Sequence, residues 1–145
     1  MDLVARSQIG HLGTVTDDGY PYVIPIFYAM LDGRIVFHSA RAGQKMANIA
    51  RDSRVCLEVS HSAGFAPNEK LCDWEARYES AVVFGRASVV TDPESKMAAL
   101  QAIARKYAGT TDYSTIKNLA SVAVVAITIE AASFKKYWPA ERPTN

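Results

Sequence analysis

The sequence has almost no excess of charge of either sign. Its 16 Lys and Arg residues nearly balance 15 Asp and Glu residues, which gives a formal net charge of +1 over 145 residues. Proteins that bind nucleic acid mainly through phosphate contacts carry a clear basic excess or a Lys/Arg stripe, and this sequence has neither. The composition therefore argues against a nucleic-acid partner.

Long apolar runs are also missing, although 49% of the residues are hydrophobic. No segment approaches the roughly 18 consecutive apolar residues of a membrane-spanning helix. The N-terminal segment MDLVARSQIGHLG has neither the basic start nor the apolar stretch of a signal peptide. The sequence therefore predicts a cytoplasmic protein without a membrane partner. Its length and apolar content fit one domain over residues 1–145.

Cysteine and histidine are scarce. Cys56 and Cys72 are far apart and form no C-x-x-C motif, so we expect two reduced thiols in a cytoplasmic chain. His11, His38 and His61 are dispersed, and none has a second candidate ligand at metal-binding spacing. We therefore expect no metal site. The sequence also offers no Ser-His-Asp order and no paired carboxylates for catalysis.

Two turn signals divide the N-terminal part into three predicted strands. The segments DDG at 17–19 and DG at 32–33 each separate two apolar runs, which is typical of hairpin turns that need positive φ. We predict antiparallel strands over roughly 11–16, 20–30 and 34–39.

The second of these strands, YPYVIPIFYAM, is apolar on both faces. One face can fill a barrel, so the other must meet a partner chain, a ligand or both. Pro25 cannot donate a hydrogen bond to a neighbouring strand. It therefore marks a sheet edge, a bulge or an opening.

Two helices are predicted in the remainder. GQKMANIARD places Met46, Ile49 and Ala50 on one face of a short helix. DPESKMAALQAIARKYAG begins with Asp92 as the N-cap and ends at Gly109.

Further strands are predicted over 54–60, 78–91 with a bulge at Gly85, and 121–131, the last buried on both sides. Residues 61–77 show no period and are predicted to form a long loop, functional or mobile. Six or more mostly antiparallel strands with about two helices predict a mainly β fold. A closed or partly closed β-barrel with flanking helices fits this count best.

A candidate anion site lies in RIVFHSARAGQKMANI, where the third predicted strand runs into the first predicted helix. Unpaired N–H groups and the helix dipole favour negative charge at such a point. Ser39 can donate its hydroxyl and Lys45 adds a positive charge, while His38 and Arg41 could also reach a phosphate monoester. The P-loop spacing is absent, and a solvated turn with a serine cap would explain the same residues.

Three segments resemble a known family: GHLGTVTDDGYPYVIPIFY, DGRIVFHSARAGQKMANI, and YESAVVFGRASVV followed by a helix. They resemble the FMN-binding split barrels related to pyridoxamine 5′-phosphate oxidase, and within them the nitroimidazole-resistance (Nim-type) proteins. The resemblance covers roughly residues 9–107. It implies a homodimer that binds FMN at the subunit interface.

The resemblance also implies a set of cofactor-binding residues. The FMN phosphate would be held by His38, Ser39, Gln44 and Lys45. The flavin ring would lie along the second strand, mainly against its backbone, with Ser80 contributed by the other subunit. The residues of that strand are Val23, Ile24, Pro25, Ile26 and Phe27.

Several departures from the oxidases limit what the resemblance implies. The oxidases usually carry Arg-Lys where this sequence has Gln44-Lys45, so one cation is missing. They carry a Lys, which helps to hold the substrate phosphate, at the position of Phe27, and they end with a longer basic segment. Oxidation of pyridoxine phosphate is therefore not expected. The Ser-Pro-Lys type turn of the deazaflavin-binding relatives is also absent.

Three functions are compatible with the sequence. The first is an FMN-dependent oxidoreductase that takes electrons from a small donor, with NAD(P)H as a candidate, and reduces an acceptor such as a nitroaromatic compound. The second is a non-enzymatic flavin- or haem-binding carrier or sensor, in which His11, His38 or His61 would ligate haem. The third is a barrel that has lost its cofactor and serves as a dimeric interaction module, for which Gln44 is the only support.

Overall fold

The structure, a computed structural model, describes residues 1–68, 70–110 and 121–139. The strands are β1 (Gly10–Val15), β2 (Pro21–Ile26), β3 (Ala29–Leu31), β4 (Arg34–Ala40), β5 (Arg54–Ala66), β6 (Glu75–Val89) and β7 (Val122–Tyr137). The helices are α1 (Asp2–Arg6), α2 (Gln44–Arg51) and α3 (Pro93–Ala108), and a short 3-10 turn spans Leu71–Asp73. No helix in these ranges is long and apolar enough to cross a membrane.

The seven strands of the described ranges form one antiparallel sheet in the order β2-β1-β5-β6-β7-β4-β3. The two edge strands, β2 and β3, follow each other directly in sequence and are joined only by Phe27 and Tyr28. A two-residue link can join opposite edges only if the sheet curls round on itself. The result is a half-barrel, which confirms the predicted mainly β fold.

The predicted strand over 20–30 is therefore wrong in one respect, because the structure divides it into β2 and β3. The apolar pattern continues through the break, since Tyr28 and Ala29 are buried. At Phe27 and Tyr28, however, the chain leaves one edge of the sheet to reach the other. A pattern of buried side chains cannot reveal this change of hydrogen-bonding partner.

Both predicted hairpin turns are confirmed. Gly19 has φ 87°, and its N–H donates to the carbonyl of Thr16 at 3.0 Å. Asp32 and Gly33 both have positive φ, 49° and 74°, as the two-residue turn between β3 and β4 requires.

The predicted loop over 61–77 is wrong. β5 continues to Ala66, β6 begins at Glu75, and the two strands stay paired through Ser62 with Tyr78 and Phe65 with Ala76. This hairpin projects beyond the barrel, and most of its side chains are exposed or half-buried on both faces. Neither face packs on a core, so the sequence shows no alternation of apolar and polar residues.

β7 also differs from its prediction, since it runs to Tyr137 and pairs with β6 along most of its length. Only the stretch 123–127 is buried on both sides, and β7 is largely exposed beyond it. The predicted irregularity at Gly85 is confirmed by a register shift between Phe84 and Gly85. A Cβ at Gly85 would lie 2.3 Å from the carbonyl oxygen of Thr128, which leaves room only for glycine.

Helix α3 follows its predicted capping. The carboxylate of Asp92 accepts from the N–H of Ser95 at 2.7 Å, Pro93 occupies the first turn, and Gly109 ends the helix with φ 66°. α1 was not predicted, because five residues are too few to show a period. Its residues Leu3 and Val4 are nevertheless buried in the main core.

Within the described ranges, two clusters of buried side chains form the core. The larger one fills the inside of the half-barrel and includes Leu12, Tyr28, Phe37, Leu57 and Ile127. The smaller one lies between α3 and the outside of β3, β4 and β7. β4 therefore contributes side chains alternately to both clusters.

The link between β2 and β3 is held by the hydroxyl of Tyr107 on α3. This hydroxyl accepts a hydrogen bond from the N–H of Tyr28 at 3.1 Å and lies 2.6 Å from the carbonyl oxygen of Gln8 and 2.9 Å from that of Tyr28. Phe27 also packs edge-on against the ring of Tyr107, with 5.2 Å between ring centres. The Tyr107 side chain thus supplies hydrogen-bond partners for backbone groups at the point where the chain leaves the sheet.

We predict that Tyr107→Phe lowers the free energy of unfolding by about 1–3 kcal/mol, the usual effect of leaving a partly buried backbone N–H unpaired. Urea denaturation followed by circular dichroism measures the change. Tyr20→Phe is the matched control, because Tyr20 is 70% exposed, and it should change the stability little. Equal effects of the two substitutions would contradict the role of Tyr107.

Candidate functional site

Ser39 lies near the end of β4, on the same face as Ile35 and Phe37, whose side chains fill the barrel core. Ser39 is only 7% exposed, and its Oγ has no hydrogen-bond partner among the described residues. Leaving a buried hydroxyl unpaired costs roughly 1–3 kcal/mol. A ligand with an acceptor oxygen at this point would recover that free energy.

His38 precedes Ser39 and lies on the opposite face of β4, because side chains alternate along a strand. This is the face of Val36, which packs toward α3, and the His38 side chain is exposed. Its predicted phosphate contact is untested. The structure does not bring the imidazole and the Ser39 hydroxyl to the same side of the strand.

The start of α2 follows directly and carries features of an anion site. Gly43 is the N-cap, with φ 122° and no capping side chain among the described residues. The first turn of α2 has no acidic residue and instead carries the half-buried Lys45. A cation at a helix N-terminus is disfavoured by the helix dipole by about 0.3–1 kcal/mol. An anion bound between the N-terminus of α2 and the Lys45 ammonium would be attracted by both, and it would offset this repulsion.

A cavity of about 520 Å³ opens beside this turn. Small side chains form much of its wall, which leaves room for a compact group. The residues at its mouth include Arg41, Ala42, Gly43, Met46, Ala87 and Ser88.

Gln44 has a clear structural partner. Its amide nitrogen donates to the Oδ1 of Asn48 at 2.8 Å, and Asn48 in turn donates to the Oγ1 of Thr14 at 2.9 Å. The Oγ1 of Thr14 in turn donates a hydrogen bond to the carbonyl oxygen of Tyr22 at 3.3 Å. One of the two N–H groups of the Gln44 side-chain amide is thus already used. The backbone N–H of Gln44, in the first turn of α2, has no partner within the helix and is open to an anion.

Asn48 was missed in the sequence, and Ala50 was wrongly placed on the inner face of α2. Ile49 and Asn48 are the buried residues of this helix, whereas Ala50 is exposed. A buried Asn at helical spacing from Gln44 was the available signal. It was overlooked because polar residues are normally assigned to the exposed face.

β2 presents the predicted ring-binding residues in two sets. Ile24 and Ile26 face the core, and Ile26 is only 7% exposed. Val23 and Phe27 are 60% and 56% exposed, and Pro25 is exposed with them. Because β2 is an edge strand, the backbone groups on its free side are open to a ligand. Of the three alternatives predicted for Pro25, an edge, a bulge or an opening, the structure shows a sheet edge.

Ser80 lies on β6, opposite Ser60 of β5 and Lys135 of β7, and it is half-buried. It shares the outer face of the sheet with Phe84. Its predicted contact with the flavin of the other subunit stays a prediction.

Lys106 is a feature that the sequence did not signal. Its Nζ lies 4.0 Å from the ring centre of Tyr28 and 5.4 Å from that of Tyr107. It is a buried atom without a hydrogen-bond partner in the described part of the chain. Burial lowers the pKa of Lys106 to about 8. This amine lies beside the β2–β3 link and therefore close to Phe27.

The sequence matches the family of pyridoxamine 5′-phosphate oxidase over residues 1–136. The chain belongs to this family. Members share a flavin-binding fold, so the resemblance seen in the sequence is confirmed. No curated protein sequence matches the chain closely enough to count as a relative.

Solved structures show the same fold. A candidate 5-nitroimidazole antibiotic resistance protein from Bacteroides thetaiotaomicron is 24% identical, with a TM-score of 0.76 over 92% of this chain and 79% of the other. An FAD and heme binding protein from Mycobacterium smegmatis is 24% identical, with a TM-score of 0.81 over 97% and 72%. The flavocytochrome Anf3 from Azotobacter vinelandii is 20% identical, with a TM-score of 0.80 over 99% and 68%. At these identities the likeness establishes the fold alone.

The residues present fit the phosphate end of a flavin nucleotide. The unpaired hydroxyl of Ser39, the first turn of α2 and the ammonium of Lys45 supply donors and positive charge on consecutive elements. Edge strand β2 supplies exposed backbone and apolar side chains for a flat ring. Each part of the nucleotide therefore has a chemically suitable surface in the chain.

We predict that Lys106→Met stabilises the protein most below pH 8. The amine binds a proton more weakly in the folded state, at about 8, than in the unfolded state, at about 10.5. Below pH 8 the folded protein therefore carries the full penalty of a buried ammonium. The penalty fades as the pH rises from 8 to 10.5. Thermal unfolding of both proteins from pH 6.5 to 9.5 measures the difference.

The stabilisation by Lys106→Met should shrink steadily above pH 8. Arg105→Met, an exposed neighbour on α3, is the control and should show no such trend. A difference that stays constant across the whole pH range would contradict the lowered pKa.

Proposed function

We propose that the protein binds FMN and acts as an FMN-dependent oxidoreductase of the Nim type. The observation that carries the proposal is the buried, unpaired Oγ of Ser39 next to the first turn of α2. An isolated turn with a serine cap would leave that hydroxyl bonded to the helix. Instead the N-cap is Gly43, and the hydroxyl is left for a ligand.

In this proposal the phosphate of FMN is bound by the Ser39 hydroxyl, the Lys45 ammonium and the backbone N–H groups of the first turn of α2. The oxidases have a cation at the position of Gln44, and here the nearby Arg41 supplies the missing positive charge. The ring lies against the backbone of β2, between Val23 and Phe27. Bound flavin supplies hydride and electron transfer, for which the protein side chains have no counterpart.

We propose that the electron donor is a reduced nicotinamide and that the acceptor is a planar compound such as a nitroaromatic. Support comes from Phe27, an exposed aromatic residue where the oxidases carry the Lys that holds a substrate phosphate. An apolar side chain there favours an uncharged, flat acceptor. The 5-nitroimidazole resistance assigned to the Bacteroides thetaiotaomicron protein points to the same class.

We also propose that the protein is a cytoplasmic homodimer with the flavin at the subunit interface. Large apolar side chains are exposed on the outside of the half-barrel, among them Val23, Phe27 and Phe84. Exposed apolar patches of this kind mark interaction surfaces in proteins. A second copy of the chain would cover some of these apolar side chains and would enclose the edge of the flavin.

A flavin or haem carrier is the alternative. Two of the structures with this fold are named as a flavocytochrome and as an FAD and heme binding protein. Haem would need an axial ligand, and His38 and His61 are exposed, whereas His11 pairs with Glu58. An absorbance spectrum identifies a haem carrier, because haem gives a Soret band and FMN does not, and turnover with NAD(P)H separates a flavin carrier from the oxidoreductase.

We predict that Lys45→Ala weakens FMN binding by about 1.5–3 kcal/mol, which is about 10- to 150-fold in Kd, the usual contribution of a charge-assisted hydrogen bond. Ser39→Ala should weaken it by a similar amount, about 1.5–3 kcal/mol, because its hydroxyl donates to the same charged phosphate. Quenching of flavin fluorescence measures both. Lys70→Ala removes an exposed lysine next to the 3-10 turn and is the control for net charge.

Three outcomes would count against the proposal. Unchanged FMN affinity in Lys45→Ala would place the phosphate elsewhere. FMN that binds tightly but never turns over with NAD(P)H and a nitro compound would favour the carrier. No retained chromophore at micromolar FMN would leave a folded barrel without the proposed cofactor.

A further inference from the structure

A groove runs from the start of α2 to the first turns of α3, where β6 ends. It has two parts, of about 520 and 370 Å³, which are neighbours because both are lined by Arg41, Met46 and Val89. Pockets for small molecules have volumes of about 300–1,000 Å³. The first part opens beside Gly43, and the second part reaches Lys96 on α3.

The groove lies on the inner face of the sheet. Val89 is paired with Val125, which belongs to the barrel core, and opposite residues of paired strands project to the same side. The apolar side chains proposed to meet a second subunit, such as Phe84, project from the outer face. A second copy of the chain on that outer face would leave the groove open.

The first part of the groove has small side chains on both sides. Gly43, Ala47 and Ala50 follow one another at four- and three-residue spacing, so they lie along one face of α2. Ala87 of β6 lines the other side. Met46 lies where the two parts meet, and methionine adapts its shape and makes favourable contacts with aromatic rings. A flat aromatic group therefore fits between α2 and β6.

The second part of the groove is positively charged. Arg41 and Lys96 both line it, whereas none of its described lining residues is acidic. Asp92 instead caps α3 by accepting the N–H of Ser95 at 2.7 Å, and Glu94 is exposed. Two like charges beside one small cavity repel each other, and an anion between them would be attracted by both.

The unpaired hydroxyl of Ser39 borders this second part. Ser39 lies opposite Ala123 in the paired strands β4 and β7, and Ala123 lines the cavity. The Cβ atoms of such opposite residues are about 4.5–5.5 Å apart on the same face. Ser39 is 7% exposed, and its Oγ has no partner among the described residues. The groove is therefore a neighbour of the proposed flavin phosphate site.

We propose that this groove binds a nucleoside phosphate, with the phosphate between Arg41 and Lys96 and the base between α2 and β6. Every base has a flat π face that stacks on apolar side chains without a sequence-specific contact. The binding itself depends only on the groove. Its link to the flavin rests on the proposed function, because Arg41 also serves the flavin phosphate there.

The pair of cations favours a phosphate over a carboxylate such as that of a fatty acid. Arg41 can bind two phosphate oxygens at once, and Lys96 can act as a point charge on a third. A carboxylate has only two oxygens and one negative charge, so it would leave one of the two cations poorly paired. Nucleoside phosphates occur both as free nucleotides and as the second half of dinucleotides such as FAD.

The test is a titration of flavin-free protein with 5′-AMP, followed by amide chemical shifts. We expect shifts centred on Gly43, Ala47 and Lys96. Lys96→Met should weaken AMP binding about tenfold or more, as for one charge-assisted hydrogen bond. Lys70→Met is the matched control, because Lys70 is exposed beside the 3-10 turn, and it should bind AMP as the wild type does.

A second variant fills the site for the base. Ala47→Leu places a larger side chain on the exposed side of α2 and should also weaken AMP binding about tenfold or more. It replaces Lys96→Met if that variant does not fold. Adenosine, which has the base without the phosphate, should bind about tenfold or more weakly than AMP.

The affinities for FAD and FMN separate the two sources of the nucleotide. If the groove holds the second half of a flavin dinucleotide, FAD should bind about tenfold more tightly than FMN, and Lys96→Met should abolish that difference. If the groove holds a free nucleotide, FAD and FMN should bind alike, and AMP should bind equally well to FMN-loaded protein. FMN affinity itself should stay within about twofold of wild type in Lys96→Met.

Absence of AMP binding together with equal affinities for FAD and FMN would overturn the proposal. So would AMP binding that neither Lys96→Met nor Ala47→Leu weakens. If Lys45→Ala alone weakens it, the AMP phosphate occupies the flavin phosphate site instead. Binding of AMP by a protein that never binds FMN would keep the nucleotide groove and overturn the proposed function.

Discussion

The structure depends on how the chain passes from one edge of its sheet to the other. Phe27 and Tyr28 make this passage between β2 and β3, where no neighbouring strand can pair with them. In place of a neighbouring strand, the hydroxyl of Tyr107 forms hydrogen bonds with the backbone of Tyr28 and of Gln8. Helix α3 is thereby fixed to the opening of the half-barrel. β2 keeps a free edge.

The candidate site follows from this geometry. The free edge of β2 offers backbone and apolar side chains to a flat ring, and β4, near the other edge, carries Ser39 next to its last residue and leads into α2. The chain of hydrogen bonds from Gln44 through Asn48 to Thr14 ties α2 to β1. The phosphate end and the ring end of a flavin nucleotide would therefore be held by elements that are rigidly connected.

Local signals were enough to predict much of this from the sequence. The positive-φ turns and the Asp92 cap each have a physical cause within a few residues, and both are found in the structure. The paired arm over 61–77 escaped prediction because its uncovered faces leave no alternation. Lys106 escaped because its partner Tyr28 lies far away in sequence, and Asn48 because a polar residue on a helix is normally assigned to the exposed face. The site residues Ser39 and Lys45 came from a motif, and the structure adds the unpaired hydroxyl.

The account rests most directly on the phosphate anchor at Ser39 and α2. The deciding measurement is the Kd of the purified protein for FMN and for riboflavin, which has the same ring and no phosphate. If the anchor exists, riboflavin should bind at least about tenfold more weakly, the loss of one or more charge-assisted hydrogen bonds. Equal affinity for the two would show that the ring alone is recognised and would contradict the site.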